Sequence, residues 1–180
     1  MKRPAFIWLA ASLAPGLAGA QAPSVGGLET AIVGGTSASA VLQAWCLGRG
    51  LPKLTASRLV GVEKPAGASV RAALGVRPGQ RLAYRRVRLG CGAQGLSVAD
   101  NWYLPDRLTP EMNRKLNKTD EPFGLVVRPL NFSRRTVGVT RSPGANHFLE
   151  IRAVLVSATG APFSYVIEDY SRDLAPMRGQ

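Results

Sequence analysis

Arg81-Leu82-Ala83-Tyr84-Arg85-Arg86-Val87-Arg88-Leu89 decides the architecture, because its period is two. Ala83, Arg85, Val87 and Leu89 fall on one face of a strand, and Tyr84, Arg86 and Arg88 on the other. The stretch Gly90 to Gly95 reads as a turn, and Leu96 to Leu104 as the returning strand of a hairpin closed by Pro105. Phe148 to Ser157 and Pro162 to Tyr170 form a second hairpin around Ala158-Thr159-Gly160-Ala161. Ala56 to Glu63 gives one further strand. Helical spacing occurs in Leu28 to Val33 and Ala38 to Leu47, separated by Gly34-Gly35, with Ser37 or Ser39 as cap of the second. Thr109-Pro110-Glu111 opens a helix that ends near Asn117, with an N-cap, a first-turn proline and an acid suited to the helix dipole. Pro122-Phe123-Gly124 starts another short element. Strands in hairpins without regular βαβ alternation predict an α+β fold: an antiparallel β-sheet with flanking helices.

At 180 residues the chain has room for one domain. Its 46% hydrophobic and 19% charged content is that of a globular protein. Met1-Lys2-Arg3, the apolar run Ala5 to Leu13 and the small residues up to Ala20 follow the order of a secretory signal peptide. The expected organisation is signal peptide 1–20, flexible leader 21–28 and one domain over 29–180. The apolar run is shorter than the roughly 20 residues a bilayer requires, and Pro15-Gly16 interrupts it. No membrane span is therefore expected once the signal is removed. The expected location is periplasmic or secreted, and cytoplasmic only if the start of the chain is read otherwise.

Removing Lys2 and Arg3 takes the formal charge from +12 to +10, so the mature domain remains basic. That charge suits polyanions, membrane surfaces or small anions without choosing among them. The arginines are scattered and form no nucleic-acid recognition motif, so no nucleic acid is expected as partner. Two cysteines and His147 are too few for a Cys/His zinc site, and no nucleophile-elbow motif is present. Cys46 and Cys91 are either a disulfide or two buried thiols. As a bridge across about 45 residues, they would add roughly 3–4 kcal/mol.

Three segments resemble the chorismate lyase family, whose core is shared with the UTRA effector-binding domains of bacterial regulators. They are Arg85-Arg86-Val87-Arg88-Leu89, Ala99-Asp100-Asn101-Trp102-Tyr103-Leu104-Pro105, and Leu108-Thr109-Pro110-Glu111 through to Pro122-Phe123-Gly124. The resemblance covers residues 29 to 175. It implies a chorismate lyase/UTRA-like fold with a buried ligand pocket, no cofactor and binding of a small organic anion such as chorismate or an aromatic carboxylate. It also implies release of pyruvate from chorismate or a related enolpyruvyl acid, leaving a 4-hydroxybenzoate-type product on the route to ubiquinone. The alternative is a non-catalytic periplasmic binder of aromatic carboxylates, and in either case a monomer.

By the same resemblance Arg85 and Glu168 are the catalytic pair, and Arg85, Phe123, Glu168 and Ala38 contact the substrate. Arg85 suits a carboxylate because a planar guanidinium grips it through two parallel hydrogen bonds. Its strand face is otherwise apolar, so an internal salt bridge or a ligand must supply the partner, unless the strand is a solvated edge. Asp169 rivals Glu168, since a slip of one residue reverses the face of a strand. A carboxylate paired with Arg152 or another arginine is the competing use of Glu168. Phe123 serves equally as core.

Overall fold

The computed structural model describes residues 25–174. The expected signal peptide lies outside them. Six strands form one sheet in the order β1-β2-β3-β6-β5-β4, every neighbouring pair antiparallel. They are β1 Leu54–Arg58, β2 Ala83–Cys91, β3 Gln94–Tyr103, β4 Ser133–Gly144, β5 His147–Val156 and β6 Pro162–Ser171. The helices are α1 Val25–Gly34, α2 Ala38–Leu47, α3 Ala68–Leu74, α4 Pro110–Lys118 and α5 Phe123–Val126.

The sheet has two unequal faces. Leu28 and Ile32 of α1 and Leu42, Trp45 and Cys46 of α2 pack on its inner face against Val87, Leu89, Ile151 and Tyr170. Met112 and Leu116 of α4 and Phe123 of α5 extend that layer over Tyr103 and Leu155. On the outer face α3 covers the strands, with Val70 and Leu74 set against Trp102, Val154 and Tyr165. Cys46 and Cys91 form a disulfide, Cα atoms 6.1 Å apart, that ties α2 to β2.

The period-two reading of β2 agrees with the structure, since Arg85, Val87 and Leu89 are all buried on the inner face. The cap of α4 also agrees: Thr109 Oγ1 accepts the Met112 N–H at 3.1 Å. Ser37 is the cap of α2, accepting the Ala40 N–H at 3.3 Å.

Several expected boundaries are corrected. The leader was expected to reach residue 28, but α1 begins at Val25. Gly26-Gly27 weakens the local helical signal, and burial of Leu28 and Ile32 overrides it. β1 is Leu54–Arg58 rather than Ala56 to Glu63, because its ladder to β2 ends at Arg58 and Gly61 turns the chain at φ +80°. Val60 and Val62 are therefore exposed. β2 continues through Cys91 to a two-residue turn at Gly92-Ala93, so Gly90 and Gly95 belong to the ladder. A Cβ on Gly90 would stand 2.6 Å from the Gln94 carbonyl oxygen, which is why the bulge there takes glycine. Neither α3 nor β4 was anticipated.

Candidate anion-binding site

The inner face is hollow at its centre because β3, β6 and β5 carry small or short residues there. Ala99 stands opposite Glu168, Asn101 opposite Val166, and Val166 opposite Ala153. Above this row lies a cavity of about 30 Å³. That is the room of one or two water molecules. Its walls include Ala38 and Ser39 from α2, Phe123 from α5, Asn101 from β3, Arg134 from β4 and Glu168 from β6.

Helix α2 points its N-terminus at the cavity, and Gly124 lets it approach. A Cβ on Gly124 would lie 2.9 Å from Ser37 Oγ and 3.0 Å from Ser39 Oγ. Ser39 is 8% exposed, and no described residue hydrogen-bonds its hydroxyl. Asn101, 3% exposed, accepts from Ser164 Oγ at 3.4 Å through Oδ1, while its Nδ2 donors have no partner among the described residues. The cavity is thus bordered by a hydroxyl and an amide with no partner among the described residues, beside the N-terminal turn of a ten-residue helix.

Glu168 projects inward. Its Oε2 accepts a short, charge-assisted bond from Arg134 Nη2 and a 3.0 Å bond from Tyr170 Oη. The Arg134 side chain is 1% exposed and also donates through Nη1 to Ile32 O of α1 at 2.8 Å. Full burial, then the Glu168 charge, hold the Tyr170 phenol well above its ordinary pKa, so Tyr170 stays a donor. The partner of Glu168 is therefore a buried arginine rather than Arg152, which pairs with Glu150 at 2.9 Å on the outer face. Asp169 lies on that outer face too, opposite Glu150.

Arg85 stands opposite Asn101 on β2, two residues from the lining residue Val87, and does not itself line the cavity. It is 1% exposed. Nη1 makes a long 3.5 Å contact to Glu121 O, while Nε and Nη2 have no hydrogen-bond partner among the described residues. Burial, reinforced by Arg58, lowers its pKa, and Tyr103 and Asp120 act in the opposite sense. A guanidinium can lose little of its charge at neutral pH. This is a buried cation with two unused donors. Burial raises the Tyr103 phenol, which Arg85 partly offsets.

The structure thus brings Ala38, Phe123 and Glu168 to one cavity and sets Arg85 beside it. The cavity is smaller than the ring-sized pocket that the resemblance implies. Phe123 is also core, its ring centroid 5.4 Å from Tyr103 and 6.5 Å from Phe163. Among the described residues no group of three or more His, Cys, Asp or Glu side chains could hold a metal ion, and no helix is long and apolar enough to cross a membrane.

The uncharacterised protein y4mC of Sinorhizobium fredii is 39% identical over 164 residues, spanning 77% of this chain and 69% of that protein. The chain belongs to the y4mC family. No family model matches it. Among solved structures, PhnF of Mycobacterium smegmatis superposes with a TM-score of 0.56 at 13% identity, over 77% of this chain and 68% of PhnF. The separate effector domain of PhnF gives 0.51 at 12% identity, over 77% of this chain and 94% of the domain. The chain spans 61% of YydK of Bacillus subtilis, described as a possible transcriptional regulator. At these identities the likeness establishes the fold: an antiparallel six-stranded sheet with flanking helices, as in the UTRA-like domains of GntR regulators.

Sequence reasoning missed Arg134, Ser39 and Asn101 as members of the site. Asn101 was within reach, since its register opposite Arg85 follows once the β2–β3 hairpin is drawn. Ser39 was weighed only as a cap. Arg134 gave no local signal, because its inward direction depends on a strand pairing 21 residues away in sequence, with Leu155.

Proposed function

We propose that this chain binds a small organic anion at the inner face of the sheet, as a non-catalytic, exported, monomeric receptor domain. The observation that carries this reading is Arg85: a buried guanidinium whose Nε and Nη2 find no partner among the described residues. An uncompensated buried charge is costly, and a protein keeps one where a ligand completes it. A carboxylate would accept both nitrogens side by side. The unused donors of Ser39 and Asn101 extend the same preference for an acceptor-rich ligand. The UTRA-like fold supports a binding role, since such domains typically bind small ligands. Export is supported by the N-terminal sequence and by the Cys46–Cys91 disulfide, a bond suited to an oxidising compartment.

The lyase reading has Arg85 holding the ring carboxylate of chorismate and Glu168 meeting the far side of the ring. Ala38, Phe123 and Glu168 around one hollow, with Arg85 beside it, favour it. Against it, Glu168 Oε2 is already engaged by Arg134 and Tyr170, and the cavity must widen to admit a ring. Binding without turnover is the better-supported function.

Calorimetric titration of the purified domain with acids from glycolate to 4-hydroxybenzoate, alongside incubation with chorismate, tests both readings. The expected result is saturable one-to-one binding of a monocarboxylate and no pyruvate release. Pyruvate appearing with chorismate would establish the lyase instead. No binding across the series would remove the anion-receptor reading.

A further inference from the structure

We propose that the cleft between α2, β1 and the link 119–122 is a second binding site, separate from the inner hollow. Its ligand is a small zwitterion with well-separated charges, such as a short peptide with free termini.

The cleft holds about 480 Å³ and the hollow about 30 Å³. Of the two, the cleft has the room of an ordinary small-ligand pocket. Neither Arg85 nor Glu168 lines it. Its floor is apolar, with Leu54 and Pro122 buried, and its rim is polar: Gln43 from α2, Lys53 ahead of β1, and Asp120 and Glu121 from the link between α4 and α5. Both walls are fastened to β1. Gln43 Oε1 accepts the Leu54 N–H at 3.0 Å, and the Asp120 carbonyl accepts the Ala56 N–H at 2.7 Å. Thr119 Oγ1 accepts the Glu121 N–H at 3.3 Å, which holds the turn of the link. The cleft is therefore preformed, and a ligand need not order its walls.

Opposite charges face this space without meeting each other. Lys53 and Asp120 both line it, yet the ammonium and the carboxylate make no ion pair or hydrogen bond among the described residues. Arg85 feels Asp120 only at a distance, with no ion pair between them. Glu121 already has Lys115 Nζ at 3.9 Å. One cation and one anion are left, a balance that a neutral zwitterion completes at both ends. Asp120 would hold the ammonium, and Lys53 the carboxylate, joined by Gln43 Nε2, which has no acceptor among the described residues. The strand sets the span. Asp120 docks on Ala56, three residues beyond Lys53, so about 10 Å of β1 separates the two anchor points. An α-amino acid carries both charges on one carbon and serves one end only. A peptide of about three residues covers the gap. The outward N–H groups of Leu54 and Ala56 are already taken, so the ligand lies across β1 and does not extend the sheet.

Amide NMR titration at low ionic strength, read at Leu54 and Thr55 on the cleft, tests this with four probes. They are triglycine, N-acetyl-triglycine (no ammonium), triglycinamide (no carboxylate) and glycine (no span). Exposed charges contribute modestly, so triglycine should bind about 5-fold more tightly than each of the others. Asp120→Asn should erase the preference for triglycine over N-acetyl-triglycine, and Lys53→Gln the preference over triglycinamide. Both side chains are exposed, so the fold tolerates either change. Each readout is a ratio within one protein, and a general loss of stability cancels. Triglycine failing to bind at these amides, any other probe equalling it, or preferences that survive the substitutions would overturn the proposal. Binding of carboxylic acids at Arg85 does not enter these ratios, so this site and the anion-receptor reading stand or fall separately.

Discussion

The two faces of the sheet carry polar networks of opposite character. On the outer face Asp100, its side chain 7% exposed, is fully used: Oδ1 accepts from Tyr84 Oη at 2.6 Å, Oδ2 from Lys64 Nζ at 3.0 Å, and Arg86 Nε stands 3.7 Å from Oδ1. Lys64 in turn accepts Trp102 Nε1 at 2.8 Å through its carbonyl and rests its ammonium 5.5 Å from the Trp102 ring centroid. Burial, then the bond to Asp100, push the Tyr84 phenol up to about 12, so it remains a donor across the physiological range. On the inner face, by contrast, Arg85 has two nitrogens without a hydrogen-bond partner among the described residues. A satisfied buried network fastens structure, and an unsatisfied one waits for a partner. The contrast between the faces separates structural polarity from binding polarity without reference to any relative.

The contrast breaks most visibly at Asp100. Asp100→Ala removes the common acceptor of a phenol and two cations, and should lower unfolding stability by about 3 kcal/mol in denaturant titrations. Affinity for the inner-face ligand should stay within about twofold. A loss below about 1 kcal/mol would mean that the outer network is solvated and does little to hold the sheet.

The same logic gives the opposite sign at Arg85. Arg85→Met keeps the length and apolar contacts of the side chain and deletes a buried charge whose Nε and Nη2 no described residue pairs. The variant should unfold about 1–2 kcal/mol later than wild type while losing the ligand by about 100-fold or more. A gain in stability joined to loss of binding distinguishes a ligand-completed arginine from a structural one. A destabilised Arg85→Met would return Arg85 to the second class, with the Glu121 carbonyl and Asp120 as its true partners.

What could be read in the sequence follows the range of the interactions involved. The inward direction of Arg85 was legible because three apolar neighbours at two-residue spacing report the buried face locally. The choice between Glu168 and Asp169 was not, since it depends on how β6 pairs with β3 and β5 at long range. β4 escaped altogether: its inner row opens with polar Arg134 and Thr136, a bulge between Thr136 and Gly138 then shifts the register, and Val137 is 48% exposed, the reverse of the pattern that marks a half-buried strand. What justifies that inversion is non-local. Arg134 and Thr136 donate to the Ile32 and Val33 carbonyls at the end of α1, and Arg134 also serves Glu168. The fold class was open to inspection because hairpins are local, whereas the charge of the site depended on a strand that only tertiary pairing creates.

The smallest expected effect lies where the outer face departs from its own rule. Asp169 has no hydrogen-bonded partner among the described residues and stands directly opposite Glu150, whose own ion pair is with Arg152. Burial first, then Glu150, raise the Asp169 pKa, and Asp100 adds to this, while His147 and Arg86 act against it. A carboxyl whose folded pKa lies above its unfolded value binds its proton more tightly in the native state. It therefore favours folding at low pH, and that contribution is lost as pH rises through the folded value. At neutral pH Asp169 is a partly exposed charge facing another of the same sign, so Asp169→Asn should raise the melting temperature by about 1–2 °C. The advantage should shrink as pH falls through the carboxylate range, where wild-type Asp169 takes up its proton and the two proteins converge. Melting curves at a series of pH values check this, and a variant that is less stable at neutral pH would show that Arg86 and His147 hold Asp169 in a favourable network, making the outer face uniformly satisfied after all.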